Sequence, residues 1–189
     1  MRIIFTLFFI ISLAFSSPSN FIIKEGNGIQ AIIEFNIGDI SIDDKEGYHI
    51  ISSSSKGNTQ NIGQPELPSY TFSYAIDYNT NYSVTIEEND YILYNNIDLY
   101  PSQPIYNVNQ DKIFIKDDLM YSKNTIYPSS KISSKRASLR GYDLLTIELV
   151  PYEYNAQTKE LKVFNNIDVI ITESGLRDAP QRAPRSRIF

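Results

Sequence analysis

Basic side chains crowd two short stretches of this 189-residue chain. Lys131, Lys135, Arg136 and Arg140 fall within Tyr127 to Arg140, YPSSKISSKRASLR. Arg182, Arg185 and Arg187 fall within Gly175 to Phe189, GLRDAPQRAPRSRIF. An exposed guanidinium or ammonium matches a buried carboxylate, and arginine does so with a fixed fork of donors. The first stretch reads as a loop by composition, since it is serine-rich with few apolar anchors. It is either a solvated connector or a basic finger offered to an acidic pocket. The second stretch, with prolines among its arginines, resembles an arginine-specific processing site on an extended tail. Ile188 and Phe189 read as the start of a segment that continues.

Other chemistry finds little support. The chain has no cysteine, so it has neither disulfides nor a catalytic thiol nor thiolate metal sites. His49 is the only histidine, and no serine sits in a nucleophile-elbow pattern. Asp39, Ser41, Asp43 and Asp44 faintly suggest a calcium loop, but the glycine at its sixth position and the closing glutamate are missing. A solvated turn is the better reading, and no metal or cofactor is expected. The net charge of −5 argues against a nucleic-acid partner.

The elements that would hold these cations read as strands. From Arg140 to Thr172 the chain runs RGYDLLTIELVPYEYNAQTKELKVFNNIDVIIT. Leu145, Ile147 and Leu149 share one parity, as do Leu161, Val163, Ile167, Val169 and Ile171. That period of two predicts one long β-hairpin, with Asn155 in its turn and Pro151 at an edge, a bulge or a strand end. Ala31, Ile33, Phe35 and Ile37 alternate likewise, and so do Tyr70, Phe72, Tyr74 and Ile76 after Pro65 and Pro68. Further strands are predicted at Val84–Ile86, at Tyr91 to Leu99 and around Ile113-Phe114-Ile115. No long helical stripe occurs. The expected class is all-β, an antiparallel sandwich-like domain with little helix.

Met1 to Ser17, MRIIFTLFFIISLAFSS, has a positive start, an apolar run and a small-x-small ending. It predicts a signal peptide cut near Ser16, too short for a comfortable membrane anchor, which needs ~20 residues. The expected organisation is a leader over 1–16, a β-rich domain over 17–174, and an arginine-rich tail over 175–189.

Two stretches carry a family resemblance. Gly63 to Ile76, GQPELPSYTFSYAI, resembles the G-x-P-x-L-P strand in the propeptide of gingipain-type cysteine peptidases. The Arg140–Thr172 stretch resembles that family's C-terminal signature, with Ala156 in place of the usual proline after Tyr154-Asn155. The resemblance implies a prodomain without its own catalysis, which assists folding of a cysteine peptidase, in cis or in trans, and inhibits it. It implies a basic side chain set into the specificity pocket without productive cleavage. Arg140 and Arg136 lead the candidates because both are arginines close to the predicted hairpin, followed by Lys135 and Lys131. Cleavage after Arg182, Arg185 or Arg187 would release the enzyme. The competing expectation is a secreted structural or adhesive β module with no peptidase partner.

Overall fold

The computed structural model describes residues 20–27, 30–55, 57–107 and 111–178. Its strands are β1 (Phe21–Gly26), β2 (Gln30–Asn36), β3 (Ser41–Lys45), β4 (Tyr48–Ser52), β5 (Gly57–Asn58), β6 (Pro68–Ile76), β7 (Thr80–Glu88), β8 (Tyr91–Tyr94), β9 (Ile126–Tyr127), β10 (Ile132–Leu139), β11 (Tyr142–Leu149), β12 (Tyr152–Asn155), β13 (Glu160–Phe164) and β14 (Asn166–Leu176). Among the described residues, the single helix is the five-residue α1 (Asp118–Ser122). The all-β expectation holds.

The strands form sheets in the orders β1-β2-β14-β7, β10-β11-β6-β5 and β8-β13-β12-β9, with β3 and β4 as a separate ribbon. The first two sheets face one another. Ala31, Ile33 and Phe35 of β2 and Ile167, Val169 and Ile171 of β14 are all 3% exposed or less. Tyr70 of β6 and Leu145, Ile147 and Leu149 of β11 are buried opposite them. The Phe35 ring meets Tyr70 at 4.6 Å, and Phe21 meets Phe72 at 4.2 Å, both across the gap. Alternating residues thus supply both inner faces of a β-sandwich, as stacked sheets require.

The predicted long hairpin over 140–172 is present only at its turn. β12 pairs with β13 from Tyr152↔Val163 to Asn155↔Glu160. The Asn155 side chain accepts from the amides of Gln157 and Thr158, at 3.1 and 3.3 Å, which closes the connection. Beyond that the arms part. At Val150-Pro151 the chain turns into β11 and the β6 sheet, and at Asn165 it turns into β14 and the β2 sheet. The two apolar faces therefore meet across the core rather than side by side. Alternation alone is satisfied either way, because it specifies a buried face and not a pairing partner. Pro151, with no amide hydrogen to give a ladder, sits at the switch point.

Three further expectations change. Tyr127 to Arg140 is not a loop: it supplies β9 and β10, and β10 pairs with β11 over its whole length. A strand at the border of a sheet tolerates serines and lysine because one face and one edge meet water. The strand expected over Tyr91 to Leu99 stops at Tyr94, before Asn96 with φ of 61°. Ile113-Phe114-Ile115 forms no strand and leads to α1, whose Asp117 side chain accepts from the Met120 amide at 3.0 Å. The last strand, β14, ends at Leu176.

Candidate functional site

β10 and β11 pair from Ile132↔Leu149 to Leu139↔Tyr142, leaving Arg140 and Gly141 alone in the connection. Their φ values are 49° and 85°. Positive φ at both central positions is the mirror-image turn whose twist matches that of the flanking strands. Glycine adopts it without steric cost, whereas arginine does so only under the ladder's constraint. β6 ends level with Asp143, where Ile76 pairs with it, so the tip stands past its sheet by about 7–10 Å at ~3.3 Å per residue. Leu139 and Tyr142, 60% and 69% exposed, flank the arginine. Arg140 is exposed, and among the described residues no ion pair holds it.

The other three candidate cations are placed differently. Arg136 pairs with Leu145, which is 4% exposed, so its side chain shares the inner face. Its guanidinium donates to the Thr80 carbonyl and, at 3.5 Å, to that of Asp77, and lies 5.9 Å from the Tyr82 ring centroid. It ties the border strand of one layer to the start of β7 in the other. Lys131 Nζ lies 2.8 Å from Glu88 Oε1, bonds Glu153, and sits 4.4 Å from the Phe164 ring centroid. Lys162 approaches the other Glu153 oxygen at 3.4 Å. Burial by itself lowers the Lys131 pKa, but the bonds to Glu153 and Glu88 outweigh it and hold the value above that of an ordinary lysine. Burial likewise raises Glu153, but Lys131 and then Lys162 carry it below the usual carboxylate range. Lys135 points outward beside Thr146 and lines a polar groove with Ser133, Thr71 and Glu148.

The chain also leaves the sandwich at this end. The β6–β7 connection, Asp77 to Asn79, lies beside Arg136, and Leu176 at the end of β14 pairs with Thr80. The Arg177 amide then donates to Asn79 O at 2.6 Å. Arg182, Arg185, Arg187 and Ser16 lie outside the described residues. Among the described residues, no cluster of three or more His, Cys, Asp or Glu side chains could hold a metal. His49 is engaged in the fold: its Nδ1 accepts from the Asp98 amide at 3.0 Å. No helix among the described residues is long and apolar enough to cross a membrane.

Sequence reasoning named Arg140 but missed the two-residue turn and the apolar pair beside it. The available signal was Leu-Arg-Gly-Tyr, a glycine in second place between two bulky residues at the end of an alternating run.

The Propeptide_C25 family model matches residues 31–185. Among solved structures, a complex of the RgpB pro- and mature domains from Porphyromonas gingivalis contains a chain of similar fold. The identity is 15% over 86% of this chain and 90% of that one, with a TM-score of 0.76. A gingipain K structure from the same organism, described for its zymogenic latency, is similar over 85% of this chain and 95% of that one. Its identity is 17% and its TM-score 0.70. No curated protein matches the chain.

Proposed function

The chain belongs to the Propeptide_C25 family, and from that membership we propose that it is the secreted prodomain of a cysteine peptidase, holding that enzyme inactive by offering Arg140 to its specificity pocket. As a propeptide it is non-catalytic. The observation that carries the reading is the placement of Arg140 at the tip of a closed hairpin that projects past its sheet.

The chemistry is ion pairing in a dry pocket. The guanidinium keeps its charge at any physiological pH and fits a carboxylate with two parallel donors. The β10–β11 ladder fixes the backbone before binding, so little freedom is lost on docking. Leu139 and Tyr142 add apolar area around the charged contact. A prodomain of this kind also supports folding of its enzyme, by presenting a preformed surface to it. Release follows cleavage after Arg182, Arg185 or Arg187, which come after the end of β14 at Leu176 in the sequence.

The test is inhibition in trans. The chain from Ser17 onward is added to the active peptidase domain, and hydrolysis of small arginyl and lysyl substrates is followed. Hydrolysis is expected to fall, and added substrate to compete with the chain. An unchanged rate for both substrates would contradict the reading and leave a structural or adhesive module.

A further inference from the structure

We propose that Arg177, the first arginine after the last strand, is closed to processing, and that Tyr78 and Asn79 of the β6–β7 turn are the positioning residues that close it. This rests on the reading that processing takes place in the arginine-rich segment. Arginines stand at 177, 182, 185 and 187, and side-chain chemistry alone does not tell them apart. The fold sets Arg177 aside.

Arg177 is part of the sheet. Its amide donates to Asn79 O at 2.6 Å, one step past the Leu176↔Thr80 pair, so the β14–β7 ladder reaches it. Its guanidinium lies 5.4 Å from the Tyr78 ring centroid, a cation over an aromatic face. Arg177 is accordingly half-buried, whereas Leu176 before it is 87% exposed. The Asn81 side chain adds a bond to Leu176 O at 3.2 Å. The receiving turn is itself held. The Asn79 amide donates to Asp77 Oδ1 at 2.7 Å, and the Asp77 amide donates to the Tyr82 hydroxyl at 3.1 Å.

Cutting after Arg177 adds one water across the Arg177–Asp178 bond, leaving a carboxylate on Arg177 and a protonated amine on Asp178. Before that, the chain on both sides of the bond has to enter a cleft in extended form. The Arg177 amide must leave Asn79 O, Leu176 must leave Thr80, and the guanidinium must leave Tyr78 to reach a specificity pocket. A peptidase acting on such a site meets only the fraction of molecules that is locally open. Arg182 stands five residues beyond these contacts.

The same contacts protect the inhibitory hairpin. Thr80 pairs with Leu176, and its carbonyl accepts from the Arg136 guanidinium. A cut that drew Leu176 and Arg177 out of the sheet would loosen the strand end on which β10 is anchored. With Arg177 closed, the cut that frees the enzyme falls beyond the last ladder pair, and the hairpin keeps its footing.

The experiment opens the contacts and keeps the arginine. The chain from Ser17 onward is digested with a trace of trypsin, which cuts after arginine and lysine without need of the cognate enzyme. The new ends are read by mass spectrometry. In one variant two glycines are inserted between Leu176 and Arg177, which moves the arginine off Asn79 and Tyr78 and leaves the Arg177–Asp178 sequence unaltered. Tyr78→Ala removes the ring, and Tyr78→Phe restores it. Denaturant midpoints identify variants that remain folded. The unaltered chain is expected to be cut first at Arg182 or beyond. The inserted chain is expected to be cut after Arg177 about 10-fold faster than the unaltered one, and Tyr78→Ala by a smaller factor, with Tyr78→Phe at the unaltered rate. Equal rates after Arg177 in the unaltered and inserted chains would overturn the closure. Tyr78→Phe cut as fast as Tyr78→Ala would overturn the ring's part in it. The digestion is then repeated with the active peptidase domain. If trypsin finds Arg177 closed and the peptidase cuts nowhere in the segment, the processing reading fails and the closure stands. If the peptidase cuts the segment and trypsin finds Arg177 as open in the unaltered chain as in the inserted one, only this inference fails.

Discussion

Leu139 and Tyr142 form the last pair of the β10–β11 ladder, and only Arg140 and Gly141 separate them. Both stand on the face of the hairpin directed away from the core, and neither supports the fold. A double variant, Leu139→Ser with Tyr142→Ser, is expected to keep the denaturant midpoint. It is expected to weaken inhibition by roughly 10–100-fold, as truncation of apolar contacts around a charged anchor does. Unchanged inhibition would show that the pair makes no contact with the enzyme.

Arg136 carries the opposite expectation. Its guanidinium serves Thr80 and Asp77 carbonyls at the mouth of the sandwich. Arg136→Ala removes charge-assisted bonds, so about 1.5–3 kcal/mol of stability should be lost in urea titrations. Inhibition by the fraction that remains folded should be close to that of the unaltered chain. A stable variant that fails to inhibit would make Arg136 part of the contact surface.

Two core tyrosines should part company when each is changed to phenylalanine. The Tyr154 hydroxyl donates to Ile97 O at 3.0 Å and accepts from the Leu99 amide at 3.3 Å. Tyr154→Phe strands both groups and is expected to cost about 1–3 kcal/mol. The Tyr152 hydroxyl is buried without a well-formed hydrogen bond, since the neighbouring Tyr70 hydroxyl donates to Ser53 Oγ at 2.9 Å instead. Tyr152→Phe should be neutral, or stabilising by up to about 1 kcal/mol. Equal losses from the two changes would contradict this contrast.

Stability should fall at both ends of the pH range. Glu153 has a folded pKa below its unfolded value of about 4.3. Its contribution is complete above that value and is lost as pH falls through the folded one. Lys131 has a folded pKa above its unfolded value of about 10.4, so its contribution is present below that and lost as pH rises through the folded value. Tyr154, pushed up to about 12 by burial, loses its contribution over the same alkaline limb, which begins near the unfolded value of about 10. Urea titrations against pH should therefore give a plateau between about 5 and 9.5. Lys131→Met should lower that plateau and shrink the acid limb. An acid limb of unchanged size would mean that Lys131 does not set the Glu153 shift.

Much of the fold was legible because each core strand alternates strictly. Ala31-x-Ile33-x-Phe35, Leu145-x-Ile147-x-Leu149 and Ile167-x-Val169-x-Ile171 all bury the residues that their parity selects. The pairing partners were not legible. Alternation names a face, and the two arms of the expected hairpin could share a sheet or face across a core with the same residues inside. The sequence of β10 reads as a loop because a border strand carries few apolar side chains, and its one inward cation, Arg136, reads as surface chemistry. Of the candidate site, the arginine at 140 was readable and its conformation was not. The left-handed turn is set by the ladder on both sides of Leu139-Arg140-Gly141-Tyr142, a long-range constraint that those four letters only hint at.

If Arg140 is the anchor, the inhibition constant of the chain depends on it. The chain from Ser17 onward and its Arg140→Ala variant, matched in urea midpoint, are each titrated against the active peptidase domain. Removing the anchor should raise the constant by about 100-fold or more, whereas Lys135→Ala, on the outward groove, should change it only slightly. An Arg140→Ala chain that inhibits as strongly as the unaltered one would mean that Arg140 does not hold the enzyme inactive.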